Sequence, residues 1–174
     1  MIKQILYISI LLSFAINSEI KDKTIQVINN FYDIEVEVSE HKFKIPKKIK
    51  SSIQSQIKQK FFRDQIFYWK IKVGDKLHYA LMDNTIGKSM PITFLIIFNE
   101  NKEVIHSSII KYREAYGGEI SGKNWLNQFT GMKQDSLFVY GKEISGISGA
   151  TLSVKSFTKG ISKLSLLLPY VMSK

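Results

Sequence analysis

At 174 residues with 44% hydrophobic content, the chain has the material for one domain with a proper core. Its formal net charge of +10 comes from lysines dispersed along the chain, without the aromatic or zinc-finger spacings of nucleic-acid readers, so no nucleic-acid partner is expected. The absence of cysteine excludes disulfides, thiolate-bound iron–sulfur clusters, thioether-linked haem and a cysteine-linked lipid anchor.

Residues 1–18 combine an early Lys3, an apolar run from Ile5 to Leu12, and small residues around Ala15 and Ser18 ahead of Glu19. This is the layout of a secretory signal, and the run is shorter than the roughly 20 residues that a spanning helix needs. A retained N-terminal anchor is the alternative. Either reading places the rest of the chain outside the cytoplasm, in a periplasm or another extracytoplasmic space. Residues 19–62 read as a helical or mixed region of the same domain, and residues 63–174 as its core.

A helix is expected around Thr24 to Phe31, followed by an alternating run at Ile34 to Val38. After Pro46, Ile49, Ile53, Ile57 and Phe61 recur one helical turn apart and predict an amphipathic helix over Lys47 to Phe61. The period then changes to two. Phe67, Trp69, Ile71 and Val73 share one face of a strand, Gly74-Asp75 makes a turn, and Leu77, Tyr79 and Leu81 alternate along the return strand. A loop is expected from Asn84 to Pro91, a central strand from Ile92 to Phe98, a turn at Asn99 to Lys102, and a fourth strand from Val104 to Tyr112. The fold class is α+β, with a four-stranded antiparallel meander packed with helices.

Three apparent chemical motifs lead nowhere. Gly87-Lys88-Ser89 is not a P-loop, because Met82 stands where that pattern needs glycine and a loop between hairpin strands is the wrong context. Gly146-Ile147-Ser148-Gly149-Ala150 nearly matches a nucleophile elbow, but no histidine follows His106 to complete the order that fold uses. His41, His78 and His106 have no metal-ligand spacing. No catalytic side chain and no metal site is assigned.

Two later stretches concentrate residues suited to a ligand. Tyr112 to Ile120, YREAYGGEI, puts Gly117 and Gly118 between Tyr116 and Glu119, and Trp125 and Phe129 follow. The glycines permit a tight turn or close ligand approach and the aromatics offer flat faces, although Trp125 and Phe129 are equally spaced for core packing. Ile144 to Ser153, ISGISGATLS, places Ser148, Gly149, Ala150, Thr151 and Ser153 before a segment with helical apolar spacing at Val154, Phe157, Ile161, Leu164 and Leu168. A helix beginning there and ending before Pro169 would direct its free N–H groups and positive dipole end at a phosphate.

Together these motifs resemble the FMN-binding domain family, which includes flavin-carrying subunits of the sodium-pumping NADH:quinone oxidoreductase and of the Rnf complex. The similarity is greatest to its small exported members, and extends over roughly Tyr79 to Leu168, about half of the chain. The resemblance implies an FMN whose phosphate is esterified to Thr151, the threonine of the S-G-A-T element. It also implies a separate flavin transferase, using FAD and magnesium, that makes the bond. Covalent members carry an aspartate three residues before the serine of that element, where this chain has Ser145. Non-covalent FMN held by the same residues is the alternative.

The function expected is that of an exported electron carrier, served by a redox partner protein or membrane electron-transfer complex. The flavin would do the redox chemistry rather than an acid–base side chain. Lys111, Arg113 and Lys123 are candidates for stabilising an anionic reduced flavin. A ligand-binding or scaffold module without a redox role is the competing expectation.

Overall fold

The computed structural model describes residues 18–133, 141 and 143–174; the expected signal segment lies almost wholly outside them. The chain divides into two units, Met1–Glu35 and Val36–Lys174. In the first, residues 18–31 form helix α1. There Ser18 Oγ donates to Asp22 at 3.1 Å and Thr24 Oγ1 donates to the Ile20 carbonyl at 2.7 Å, each across one turn. Among the described residues no helix is long and apolar enough to cross a membrane.

The second unit is built on a five-stranded antiparallel meander whose strands lie side by side in chain order. The strands are β1 (Glu37–Lys44), β2 (Gln65–Val73), β3 (Lys76–Ile86), β4 (Pro91–Phe98) and β5 (Val104–Lys111). The sequence pattern led to four strands, and β1 is the addition. It pairs with β2 from Glu37↔Lys72 to Lys44↔Gln65, but its charged, mostly exposed side chains hide the alternation, as is common at a sheet edge. Strand β3 also runs three residues, Asn84 to Ile86, into the expected loop. Asn84 accepts a hydrogen bond from Thr93 Oγ1 at 2.6 Å, and Thr85 bonds to Ser156, so both polar side chains find partners beyond their own strand.

Register places Tyr68, Leu81 and Ile96 on one face of the sheet, together with Phe94, Phe98 and Ile109. Helices pack on this face. Helix α2 (Lys47–Ile57) buries Ile53 and stops at Lys58, which adopts φ 54°, short of the expected end at Phe61. The chain turns there, Phe61 enters the core, and its N–H is taken by Gln54 Oε1 at 2.8 Å. Trp125 lies in the short helix α3 (Lys123–Leu126), which is flanked by 3₁₀ turns at Gly118–Ser121 and Asn127–Phe129. Ser107 Oγ on β5 donates to the Leu126 carbonyl at 2.9 Å and fixes this segment to the sheet.

Helix α4 (Thr151–Met172) closes the core. It continues through Pro169, where an end had been expected, because its apolar face extends to the buried Val171. Gly160 lets the helix lie directly on the sheet, since a Cβ there would meet Phe94 Cζ at 2.7 Å. Phe157 sits among Phe94, Phe129 and Trp125, with ring centroids 5.3, 5.5 and 5.6 Å away. Each such aromatic contributes roughly 1.5–3 kcal/mol through burial. Near the start of the helix, Gln59 Nε2 donates to Thr85 Oγ1 at 2.8 Å and to the Ser156 carbonyl at 2.9 Å, while Ser156 Oγ donates to the Ile86 carbonyl. This polar knot sets the height of the helix's first turns above the end of β3.

A buried ion pair makes a second tie. Lys163 on α4 is fully buried and lies 2.9 Å from Asp83 on β3; it also donates to the Lys60 carbonyl at 3.0 Å and stands over the Phe61 ring. Burial pushes the Asp83 carboxyl above its ordinary value, and the Lys163 ammonium opposes that push. Removing one partner strands the other in the core. Lys163→Met should therefore destabilise the protein by about 3 kcal/mol in urea unfolding, whereas Lys163→Met with Asp83→Leu should recover most of the loss.

Candidate functional site

Three segments far apart in sequence meet at the N-terminal end of α4. They are the loop after β3, the chain leaving β5, and the residues leading into the helix. Between them lies a cleft of about 810 Å³, lined by Lys88, Ser89 and Met90, by Arg113, Glu114, Ala115 and Tyr116, and by residues 149–153. Its size suits a cofactor or drug-sized ligand, for which pockets of roughly 300–1,000 Å³ are usual.

The segment before the helix is fixed from below. Trp125 Nε1 donates to the Ser145 carbonyl at 2.9 Å, and the Ser145 N–H donates to Gln128 Oε1 at 2.8 Å, leaving the Ser145 side chain exposed. Gly149 takes φ 76°, and the Ala150 N–H bonds to the Ile147 carbonyl at 3.1 Å. Helix α4 then starts at Thr151 with no side-chain cap and no acidic residue in its first turn. Its first N–H groups have no acceptor within the helix, so this end of the dipole faces the cleft ready for an anion.

The two glycine-containing motifs touch. Gly117, at φ 79°, is so close to the helix that an added Cβ would stand 2.6 Å from Ala150 Cβ and 3.0 Å from Tyr112 Oη. Tyr112 Oη in turn donates to the Tyr116 carbonyl at 2.6 Å, which holds the turn shut. Gly118 and Glu119 belong to the following 3₁₀ turn; both are exposed and neither lines the cleft.

Of the sequence-predicted residues, Thr151, Gly149, Ala150, Ser153 and Tyr116 all line the cleft. Thr151 is exposed at its mouth, while Ser153 is buried at its base. Ser148 is exposed one residue ahead of the lining. Trp125 and Phe129 are buried beneath the site and meet edge-on at 5.3 Å between ring centroids, so the structure places them under the Ser145 segment and within the core. Arg113 bonds the Pro91 carbonyl at 2.9 Å and Thr93 Oγ1 at 3.0 Å, where it ties β5 to β4.

Sequence reasoning overlooked Glu114 and the loop it holds. Its carboxylate accepts the Ser89 N–H at 2.8 Å, the Met90 N–H at 2.9 Å and Ser89 Oγ–H at 3.1 Å. The Met90 and Ser89 amides hold the carboxyl below its ordinary value. Lys88 and Ser89 fell inside the discarded P-loop pattern; no phosphate loop exists there, but the same residues form a wall of the cleft. Glu114 had only its position in YREAYGGEI as a signal. Among the described residues no group of side chains has a metal-binding arrangement.

Compared with known proteins, residues 87–165 match the family model of the FMN-binding domain. That span contains every residue lining the cleft. No curated protein matches the chain.

The two glycines of the motif differ in what they tolerate. Gly118→Ala, with open space around it, should stay within about 0.5 kcal/mol of the parent in urea unfolding. Gly117→Val combines a left-handed backbone with overlap against Ala150 and should cost at least about 2 kcal/mol. Equal costs would mean that the contact between the two motifs is not needed.

Proposed function

Because residues 87–165 belong to the FMN-binding domain family, we propose that the protein is an exported flavoprotein that carries electrons, with FMN joined through its phosphate to Thr151. The observation that carries this reading is the position of Thr151: it is an exposed residue, the first of α4, and it lines the cleft where the helix end is uncapped. A phosphate there meets free N–H groups and a positive dipole end, and Gly149 and Ala150 leave it room. Met90, Tyr116 and Leu152, all exposed and lining the cleft, offer apolar surface to a flat ring system.

FMN would supply the electron-transfer chemistry, and the chain's own residues would bind and orient it. A separate transferase would make the link. The bond would form between the flavin-side phosphorus of FAD and Thr151 Oγ as the pyrophosphate bond breaks, with AMP leaving and the hydroxyl proton lost. Export is supported by the arrangement of residues 1–18, and places the protein where it would serve a redox partner or membrane complex.

One observation favours a second reading, in which FMN or a related ligand binds without a covalent link. Ser145 stands where covalent members carry aspartate. Its backbone is held by Trp125 and Gln128 while its side chain points to solvent, where a transferase would encounter it.

Co-expression with a flavin transferase in an exporting host separates these readings. The expected product gains the mass of one FMN and fluoresces in a denaturing gel; Thr151→Ala should lose all of this signal, and Ser145→Asp should raise the modified fraction. Yellow protein that releases its flavin on denaturation would favour the non-covalent reading. Colourless protein that also fails to bind free FMN would remove both.

A further inference from the structure

The loop after β3 carries Lys88, Ser89 and Met90 to the cleft on an exposed hairpin connection, and little in the loop itself defines its shape. Within it, the Gly87 N–H bonds to the Met90 carbonyl at 3.1 Å. The Ile86↔Pro91 pair closes its base, and a further constraint comes from Glu114 on the opposite segment, whose Oε1 takes both the Ser89 and Met90 amides. Gly87 makes this possible, because a Cβ there would lie 2.6 Å from Glu114 Oε1 and 2.7 Å from Ser153 Oγ. The carboxylate thus reaches the loop past a residue without a side chain, beside the buried Ser153 of α4.

We propose that Glu114 is a positioning residue that latches the Gly87–Met90 loop and so shapes the wall of the cleft against which FMN binds. The proposal rests on the FMN reading, and assigns to Glu114 no contact with the cofactor. Its consequence runs against simple electrostatics. FMN brings a phosphate dianion, so a carboxylate in the cleft wall should repel it, and deleting that charge alone should strengthen binding. A latch has the opposite effect, because a loop released from its preferred shape must be reordered when the ligand binds.

The variants Glu114→Gln and Glu114→Ala separate charge from latch. Both remove the charge, but glutamine keeps the single oxygen that serves both amides, and its NH₂ group can donate to Ser89 Oγ. Titration of free FMN into the full-length apo protein, followed by flavin fluorescence, should give Glu114→Ala an affinity on the order of tenfold weaker than the parent. Glu114→Gln should restore binding to the parent level or above it. Gly87→Ala, which displaces the carboxylate by steric contact, should weaken binding as Glu114→Ala does, and combining the two should add little further loss.

Amide hydrogen exchange gives a readout that needs no cofactor. Ser89 and Met90 should be protected in the parent and in Glu114→Gln, and should exchange faster in Glu114→Ala. Equal affinities for Glu114→Ala and Glu114→Gln, both tighter than the parent, would overturn the latch in favour of charge alone. Unchanged exchange at Ser89 and Met90 in Glu114→Ala would overturn it as well. If the parent binds no FMN, the functional reading fails instead, and faster exchange in Glu114→Ala would still support the latch.

Discussion

The packing of Gly160 on the Phe94 ring, with no room for a Cβ between them, is the constraint on which the rest of the second unit depends. It sets the distance between α4 and the sheet, and so decides where the rings of Phe157, Phe129 and Trp125 can meet. The same helix supplies the end that faces the cleft. A shift of α4 along the sheet would therefore move Thr151 by the same amount, because a helix transmits displacement along its axis with little loss. Core packing and site geometry are one problem in this fold.

Polar ties resolve what apolar packing leaves free. Apolar contact fixes the separation of helix and sheet but resists sliding weakly, since it has no direction. Two directional ties oppose sliding, the Lys163–Asp83 pair in the middle of the helix and the Gln59–Thr85–Ser156 knot near its start, and the steric fit of Gly117 against Ala150 adds a stop at its tip. The ion pair contributes less net stability than its geometry suggests, because both charges have left water. Its value is register. Lys163 also reaches the Lys60 carbonyl, so the turn after α2 is held in the same alignment.

Much of this was legible in the sequence. Strands β2, β4 and β5, the turn at Gly74, helix α2 and the start of α4 followed from apolar patterning and turn residues: alternation or helical spacing for most, a continuous apolar run for the central strand β4, and glycine at the turn. Strand β1 was obscured by edge charges, and the last residues of β3 by polar side chains whose partners lie on β4 and α4. Pro169 misled because a local helix breaker was outweighed by burial of Val171. At the site, the small residues and Thr151 were visible as motifs. Glu114 was not, since its meaning depends on the loop 24 and 25 residues upstream that it holds, and no local pattern encodes that meeting.

The shape of the cleft bears on why an attachment through the phosphate would suit this chain. Its apolar lining is unusually open: Tyr116 is 84% exposed and Leu152 56% exposed. Walls this open would cover only part of a flavin ring and so release only part of its burial free energy, and the uncapped helix end would hold only a phosphate. Non-covalent retention would then depend on one end of the cofactor. An electron carrier has the opposite need for its ring, which must approach a partner closely to exchange electrons. A phosphoester at Thr151 would reconcile the two by removing retention from the demands on the cleft, so that the walls need only orient the ring. Under that arrangement the walls can stay open, and the shape of the Gly87–Met90 loop matters more than the area it covers.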